Sequence, residues 1–487
     1  MNAERADGAE LARIAEAAML EKGFLPNPPA PAEAEAARAQ PVTAVIDGMR
    51  DLRALPWSSI DNHESRDLDQ IEVAEVVDGG TRLYVGIADV DHFVRPGSAI
   101  DQYAANNTTS VYTGVRTFPM LPERLSFHLS SLLADEPRAA MVIETLVRDD
   151  GSIGEARCYP ALVQNKAKLD YPAVSAWLDG RAAPPGLLAS EPTLRAQVEL
   201  HDRLARALGE GRRRDGAIDV DTGETRAVVD GGGKVTGFEV HHQDRAGRVI
   251  AELMIASNRA VARALDDARL PSLRRVVKQP ERWARIVAYA AERGVTLPAA
   301  PSSIALQQFV EEMRRTRADE FTEISLAIVK LMGRGEYVAH SPAEPDVGHF
   351  GLATAQYAHS TAPNRRYPDL VTQRILKAHA RGAAAPYGRD QLAAIAARCS
   401  QMEAQAEKVE RRVHKSAAAQ LLQSRIGASF AGIITGASDK GVFVRVFEPS
   451  AEGKLVRPQP GLAVGQRVQV RLVDVSVAKG FIDFEQI

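Results

Sequence analysis

Ser59-Ile60-Asp61-Asn62-His63-Glu64-Ser65-Arg66-Asp67-Leu68-Asp69-Gln70 places three aspartates within nine residues, in the pattern Asp-x5-Asp-x-Asp. An apolar Leu55-Pro56-Trp57 precedes it, and the strand-like run Ile71 to Val77 follows. Asp67 and Asp69 are two apart, so in extended chain they project to one side. Asp61 lies one loop earlier and is expected to fold back towards them. Carboxylates that converge repel one another unless a cation sits between them. Clustered carboxylates are hard oxygen donors and suit Mg²⁺ or Mn²⁺, ions that commonly serve phosphate chemistry. Taken alone, the spacing also fits a solvated acidic loop.

Working outward, the chain of 487 residues predicts about two or three domains with ample core. Hydrophobic content of 45% and charged content of 25% are ordinary for a soluble globular protein. The net charge of -3 means that any basic surface must be local. Cys158 and Cys399 stand far apart, which argues against a zinc site or a disulfide framework and fits a reducing cytoplasm. No apolar run reaches ~18 residues, so no membrane span is expected. Met1-Asn2-Ala3-Glu4-Arg5 lacks the plan of a signal peptide.

Residues 8–23 carry helical spacing, and Asn27-Pro28-Pro29 stops it. Residues 1–44 therefore read as a helical appendage and linker. Residues 41–160 read as strands and turns, with Arg82 to Asp89 and Ala140 to Val147 the clearest strands. A hairpin is expected around Val228 to Val240, turning at Asp230-Gly231-Gly232-Gly233. Residues 190–211, 248–266, 278–293, 304–316, 369–381 and 391–425 carry helical periodicity. Beyond residue 426 short alternating strands punctuated by glycine suggest a small barrel of the oligonucleotide-binding type. Within it Phe443 is a candidate for stacking on bases.

Two further blocks carry a family likeness. One runs Ile87-Ala88-Asp89-Val90-Asp91-His92-Phe93-Val94-Arg95-Pro96-Gly97, then Thr109-Ser110-Val111-Tyr112, then Phe118-Pro119-Met120-Leu121-Pro122-Glu123. The other runs Gly348-His349-Phe350-Gly351-Leu352-Ala353, then Tyr357 through Pro363-Asn364-Arg365-Arg366-Tyr367-Pro368-Asp369. With the acidic segment, and in this order, they resemble the RNB-domain exoribonucleases, relatives of ribonuclease II and ribonuclease R. The likeness covers roughly residues 45–485. It implies an α+β fold: an RNB catalytic domain over 45–425, a mixed sheet surrounded by helices, followed by an S1-like barrel over 426–487. The N-terminal cold-shock barrels of ribonuclease II are not present.

The resemblance implies processive 3′→5′ hydrolysis of single-stranded RNA to nucleoside 5′-monophosphates; a cytoplasmic monomer with no membrane partner is expected. It carries over residue by residue. Asp61, Asp67, Asp69 and Gln70 fall on the metal-holding positions for Mg²⁺, with Mn²⁺ as the alternative. Asp69 and Asp67 fall on catalytic positions with Arg365, which is expected to grip the scissile phosphate. Tyr112 matches the tyrosine that stacks on the 3′-terminal base, and Glu252 and Glu410 match glutamates near the 3′ end. Arg366 joins Arg365 among the RNA contacts. Gln70 stands where the family has a fourth aspartate, and Val220 where it has a stacking aromatic.

Other readings stay open on the residues alone. Arg365 and Asp369 sit at i, i+4, where a structural ion pair forms. Residues 361–425 hold 12 Lys/Arg against 5 Asp/Glu, which suits either a phosphate-tracking wall or a solvated helix. Gln70 fits a catalytically weakened RNA-binding protein. The missing barrels and Val220 fit a phosphodiesterase for short oligoribonucleotides.

Overall fold

The structure is a computed structural model that describes residues 2–46, 48–230, 235–438, 441–459, 461–462 and 465–487. Gly231 to Gly233, the glycines of the expected hairpin turn, lie outside the described residues. The hairpin strands themselves are Glu224–Val229 and Val235–His241, paired antiparallel.

A seven-stranded sheet organises the larger part of the molecule. Its order is Arg50–Asp51, Ile153–Gln164, Pro137–Val147, Gly80–Ala88, Gln70–Val77, Ser58–Asp61 and Ala167–Asp170. The two outermost pairs are parallel and the rest antiparallel, so the sheet is mixed. Gln70–Val77 lies near its middle, and its first five residues are all buried. Such a strand needs apolar residues on both faces, as Ile71, Val73 and Ala74 provide. The Asp78-Gly79 turn joins it to Gly80–Ala88 in register Val77 to Gly80. Gly79 and Gly80 both have positive φ, and a Cβ on Gly80 would lie 2.2 Å from the Val147 carbonyl oxygen. Only glycine fits there.

Helices Tyr171–Leu178, Pro192–Arg214 and Arg245–Asp267 cover part of this sheet, burying Val174, Val198 and Ile250 with Ile60 and Leu169. Helix Tyr367–Ala380 is fastened to the sheet by charge. Lys377 Nζ lies 2.7 Å from Asp89 and 3.0 Å from Asp91, while Arg374 reaches Asp91 at 3.2 Å and Asp101 at 2.9 Å. Both cations are buried, so two charges of the basic segment 361–425 serve packing. Within a buried network every charge needs its partner, and these have them.

The stretch 41–160 is not strands and turns alone. Helix Ala99–Asn107 interrupts it, started by Ser98, whose side chain accepts from the Asp101 N–H. Ser-x-x-Asp before an Ala-rich run is a helix start of the kind that capping favours. Helix Phe321–Met332, also absent from the periodicity reading, follows Ser303–Thr316 closely. At the N-terminus, helix Asn2–Glu21 packs along the long helix Arg389–Leu422. Leu11, Ala15, Ala18 and Met19 are all fully buried. Three of them share a core with Met402, Val409 and Val413.

Strands Ser429–Ser438, Gly441–Phe447, Ser450–Leu455, Phe481–Gln486 and Arg467–Ser476 close a barrel in that spatial order. Phe430, Val444, Val446, Val470, Leu472 and Phe484 fill it, so Phe430 belongs to the core. Phe443 is half-buried and stands opposite Lys454 in register. Lys440 lies outside the described residues. Helix Arg389–Leu422 carries Ala417, Ala418 and Leu422 into the barrel's apolar cluster, so one helix serves both parts of the molecule. Among the described residues no helix is long and apolar enough to cross a membrane.

Candidate active site

The acidic segment runs from the end of strand Ser58–Asp61 to the start of Gln70–Val77. Its loop is pinned by backbone contacts that a solvated acidic loop would lack. Ser131 Oγ donates to the Arg66 carbonyl at 2.7 Å and accepts from the Leu68 N–H at 3.0 Å. Lys168 Nζ donates to the carbonyls of His63, at 2.8 Å, and Ser65, at 2.6 Å. Each aspartate then finds its own donor. Asp61 accepts from Ser65 Oγ at 2.6 Å and from the Asn62 N–H at 2.7 Å. Asp67 accepts from Tyr112 Oη at 2.8 Å. Asp69 accepts from the Asn364 N–H at 3.0 Å and from Arg365 Nε at 3.2 Å.

Asp69 is 1% exposed. Burial, with the Asp67 charge adding to it, outweighs Arg365 and the Asn364 N–H and pushes its carboxyl up to about 7. Burial also raises Asp61, against the donors Ser65 and Asn62. Burial works to lower Arg365, but the Asp69 carboxylate, together with Tyr112 and Asp369, raises it on balance and holds the guanidinium charged. About half of the Arg365 side chain remains exposed, so its remaining N–H groups face outward.

The second motif reaches the acidic loop through a backbone ladder. The Ser110 N–H donates to the Arg365 carbonyl at 3.0 Å, and the Tyr367 N–H to the Thr108 carbonyl at 2.8 Å. The segment that carries Tyr112 is thereby paired to the segment that carries Arg365. Glu410, on the long helix, accepts from the Tyr112 N–H at 3.2 Å, and burial raises its carboxyl. Tyr112 is itself exposed, with burial of its hydroxyl and the Asp67 charge raising its phenol.

Arg365 does not pair with Asp369. Arg366 does, at 2.7 Å, and Asp369 is fully buried. The structure therefore splits the two arginines: Arg365 points to the acidic loop and Arg366 into the fold. Glu252, on helix Arg245–Asp267, receives Arg212 Nε at 2.8 Å and a second bond from the same guanidinium. Among the described residues it makes no hydrogen bond to the acidic loop. Gln70 is buried at the first position of its strand, in register with Ile87. Val220 packs among apolar neighbours with Phe309 and Ile324.

Asn364, Ser131 and Lys168 had no prominence in the sequence. Asn364 also accepts from Ser130 Oγ at 2.6 Å, which fixes the turn before Arg365. Its place between Pro363 and Arg365 was the available signal. Ser131 and Lys168 act on backbone carbonyls, and nothing in their local sequence marks them.

One group of ligand atoms among the described residues gathers within 4.8 Å, at the spacing that could hold a metal ion: Asp266, His340 and Asp346. Arg274 already occupies this cluster. It hydrogen-bonds to Asp266, and its Nε lies 3.6 Å from Asp346. Its buried guanidinium supplies the positive charge that a metal would bring. The carboxylates of Asp61, Asp67 and Asp69 do not form such a group, and each accepts from a separate donor.

A mixed sheet with an acidic loop and an arginine at one end is thus followed by a closed five-stranded barrel. Residues 49–382 match the RNB domain model, and residues 428–487 match the RNase II-type exonuclease C-terminal S1 domain model. The chain belongs to the RNB-domain family. It is 32% identical over 423 residues to Ribonuclease R of Vibrio parahaemolyticus, covering 83% of this chain and 50% of that protein. It is 30% identical over 470 residues to Ribonuclease R of Aquifex aeolicus, covering 91% and 65%. The chain thus spans between half and two thirds of these curated relatives. A solved structure of Mycoplasma genitalium RNase R in complex with ribose methylated single-stranded RNA superposes with a TM-score of 0.88 at 24% identity. That match covers 98% of this chain and 78% of the other.

Proposed function

We propose that this chain is a divalent-metal-dependent exoribonuclease that shortens single-stranded RNA from its 3′ end and releases nucleoside 5′-monophosphates. The observation that carries the reading is the contact of Arg365 Nε with Asp69 at 3.2 Å, across 296 residues of sequence. It sets a half-exposed guanidinium against a buried carboxylate at the sheet end where two further aspartates lie.

Asp61, Asp67 and Asp69 supply oxygen donors alone, with Gln70 adding at most a neutral carbonyl, and this donor set fits Mg²⁺ or Mn²⁺. When bound there, such an ion lowers the pKa of water and neutralises phosphate charge. Arg365 grips the scissile phosphate with N–H groups not engaged by Asp69 and stabilises charge growing on it. Asn364 keeps Asp69 oriented through its backbone N–H. Tyr112 offers its exposed ring to the terminal base, and Glu410 holds the backbone that carries it. The barrel, with Phe443, holds RNA away from the acidic loop. The RNA bound in the Mycoplasma genitalium structure supports the substrate class. A cytoplasmic, monomeric enzyme acting in RNA decay is part of the same proposal.

Gln70 favours one second reading, a protein that binds RNA and turns it over poorly. A labelled RNA ladder incubated with Mg²⁺, Mn²⁺ or EDTA separates the two. Shortening from the 3′ end with metal, and none with EDTA, is the expected result. RNA that is bound yet intact under every metal would select the second reading.

A further inference from the structure

A cavity of about 460 Å³ lies where helix Pro192–Arg214 ends against helix Arg245–Asp267. Arg214, Arg259 and Arg263 line it, with Asp150, Asp215 and Gln356. None of Asp61, Asp67, Asp69, Tyr112 or Arg365 does. Arg259 and Arg263 follow Glu252 by seven and eleven residues, so the three fall on one stripe of their helix.

The arginines around this cavity are not equally satisfied. Arg212 is held by Glu252. Arg214 donates to the Asp150 carbonyl. Arg263 is mostly exposed and lies 3.8 Å from Asp267. Arg259 is half-buried, and among the described residues it has no hydrogen bond and no carboxylate within ion-pair distance. Burial pulls its guanidinium down, with Asp215 and Glu252 opposing from further off. A partly desolvated cation without an acceptor is costly, and an anion in the cavity would relieve it.

We infer that this cavity binds a phosphomonoester dianion, and that its occupant is the nucleoside 5′-monophosphate released by the reaction. The assignment of the occupant rests on the proposed exonuclease activity. Guanidinium forks match phosphate oxygens in pairs. Asp215 offers a carboxylate to the ribose diol. The volume falls in the range of small-ligand sites. An enzyme that feeds on one RNA end keeps its entrance filled with substrate, so a product site away from the acidic loop is a chemical convenience for turnover.

The test uses the full chain in EDTA, without RNA. AMP, adenosine and inorganic phosphate are titrated by calorimetry at constant ionic strength, into wild type, Arg259→Gln, Arg263→Gln and Arg365→Gln. AMP should bind one site in wild type and in Arg365→Gln. Arg259→Gln should weaken it at least about tenfold, the equivalent of one charge-assisted hydrogen bond, and the exposed Arg263→Gln by less. Adenosine should not bind, and phosphate should compete with AMP but bind more weakly. Phosphate binding as tightly as AMP would overturn the mononucleotide assignment and leave an anion site. AMP binding that survives Arg259→Gln and vanishes in Arg365→Gln would place it at the acidic loop and overturn the inference. Loss of an unpaired charge should leave the melting temperature of Arg259→Gln unchanged or higher. A fall of several degrees would make Arg259 a structural residue and also overturn it. No RNA is cleaved in this assay, so AMP binding here and shortening of the labelled RNA ladder can fail independently.

Discussion

Tyr112 donates its phenol proton to Asp67 at 2.8 Å while its ring stays exposed at the mouth of the acidic loop. On the proposed reading one side chain serves twice, its ring for the substrate base and its hydroxyl for a carboxylate. Tyr112→Phe removes only the second. It should lower the turnover number several-fold and shift the metal requirement, with RNA affinity nearly unchanged. Tyr112→Ala should in addition weaken RNA binding by about 1–3 kcal/mol. Equilibrium binding and single-turnover rates on both variants decide it. Equal losses of affinity in the two would mean that the ring does not meet the base.

Asp69→Asn keeps the shape of the side chain and its acceptor oxygen for the Asn364 N–H. It removes the charge that faces Arg365. Turnover should fall by about 100-fold or more, since the proposed anionic metal ligand and the partner of Arg365 are lost together. RNA affinity should change less than two-fold. Should affinity collapse while the rate on saturated enzyme survives, Asp69 serves binding or folding and its assigned role is wrong.

Arg365 and Arg366 are adjacent and should fail differently. Arg365→Lys retains charge but loses the fork, so catalytic efficiency should drop by about 2–4 kcal/mol with the melting temperature unchanged. Arg366→Ala strands the buried Asp369 carboxylate and should cost about 3–5 kcal/mol of stability. Thermal melts and catalytic efficiency, measured on both, separate the roles. An Arg366 variant that melts like wild type but binds RNA poorly would restore it to the substrate contacts.

These contrasts show where the sequence was legible. The strands over Arg82 to Asp89 and Ala140 to Val147, the long helix and the terminal barrel all follow from patterns that repeat every two or 3.6 residues. So does the buried strand after Gln70, because burial on both faces demands an apolar run. The order of strands in the sheet does not. The pairing of Arg366 rather than Arg365 with Asp369 was not legible. Both arginines stand within one turn of the aspartate, and the choice is made by the ladder that ties Arg365 to Ser110. Helix Ala99–Asn107 is short, and its apolar residues pack on a neighbouring helix, so its pattern was hidden among strands. Ser131 and Lys168 hold carbonyl oxygens, and a contact to backbone leaves no trace in the identity of its partner.

A last prediction concerns acid. His201 lies within helix Pro192–Arg214 and is 1% exposed. Its Nε2 has no hydrogen-bond partner among the described residues. Burial pushes its pKa down to about 4. In the unfolded chain a histidine protonates near 6.5. Between those two values the unfolded state carries a proton that the folded state refuses. Stability is therefore full above the unfolded pKa, declines as pH falls through this window, and levels off below about 4. The whole effect is on the order of 3 kcal/mol for a shift of this size. His349 is pushed to about 4 by burial as well and adds to the same slope. His201→Leu, which cannot titrate, should melt closer to its neutral-pH temperature at about pH 5 than wild type does. Urea midpoints of both proteins between about pH 7 and pH 4 measure the difference. Parallel curves would mean that His201 binds its proton equally in both states, through a partner or water that burial does not exclude.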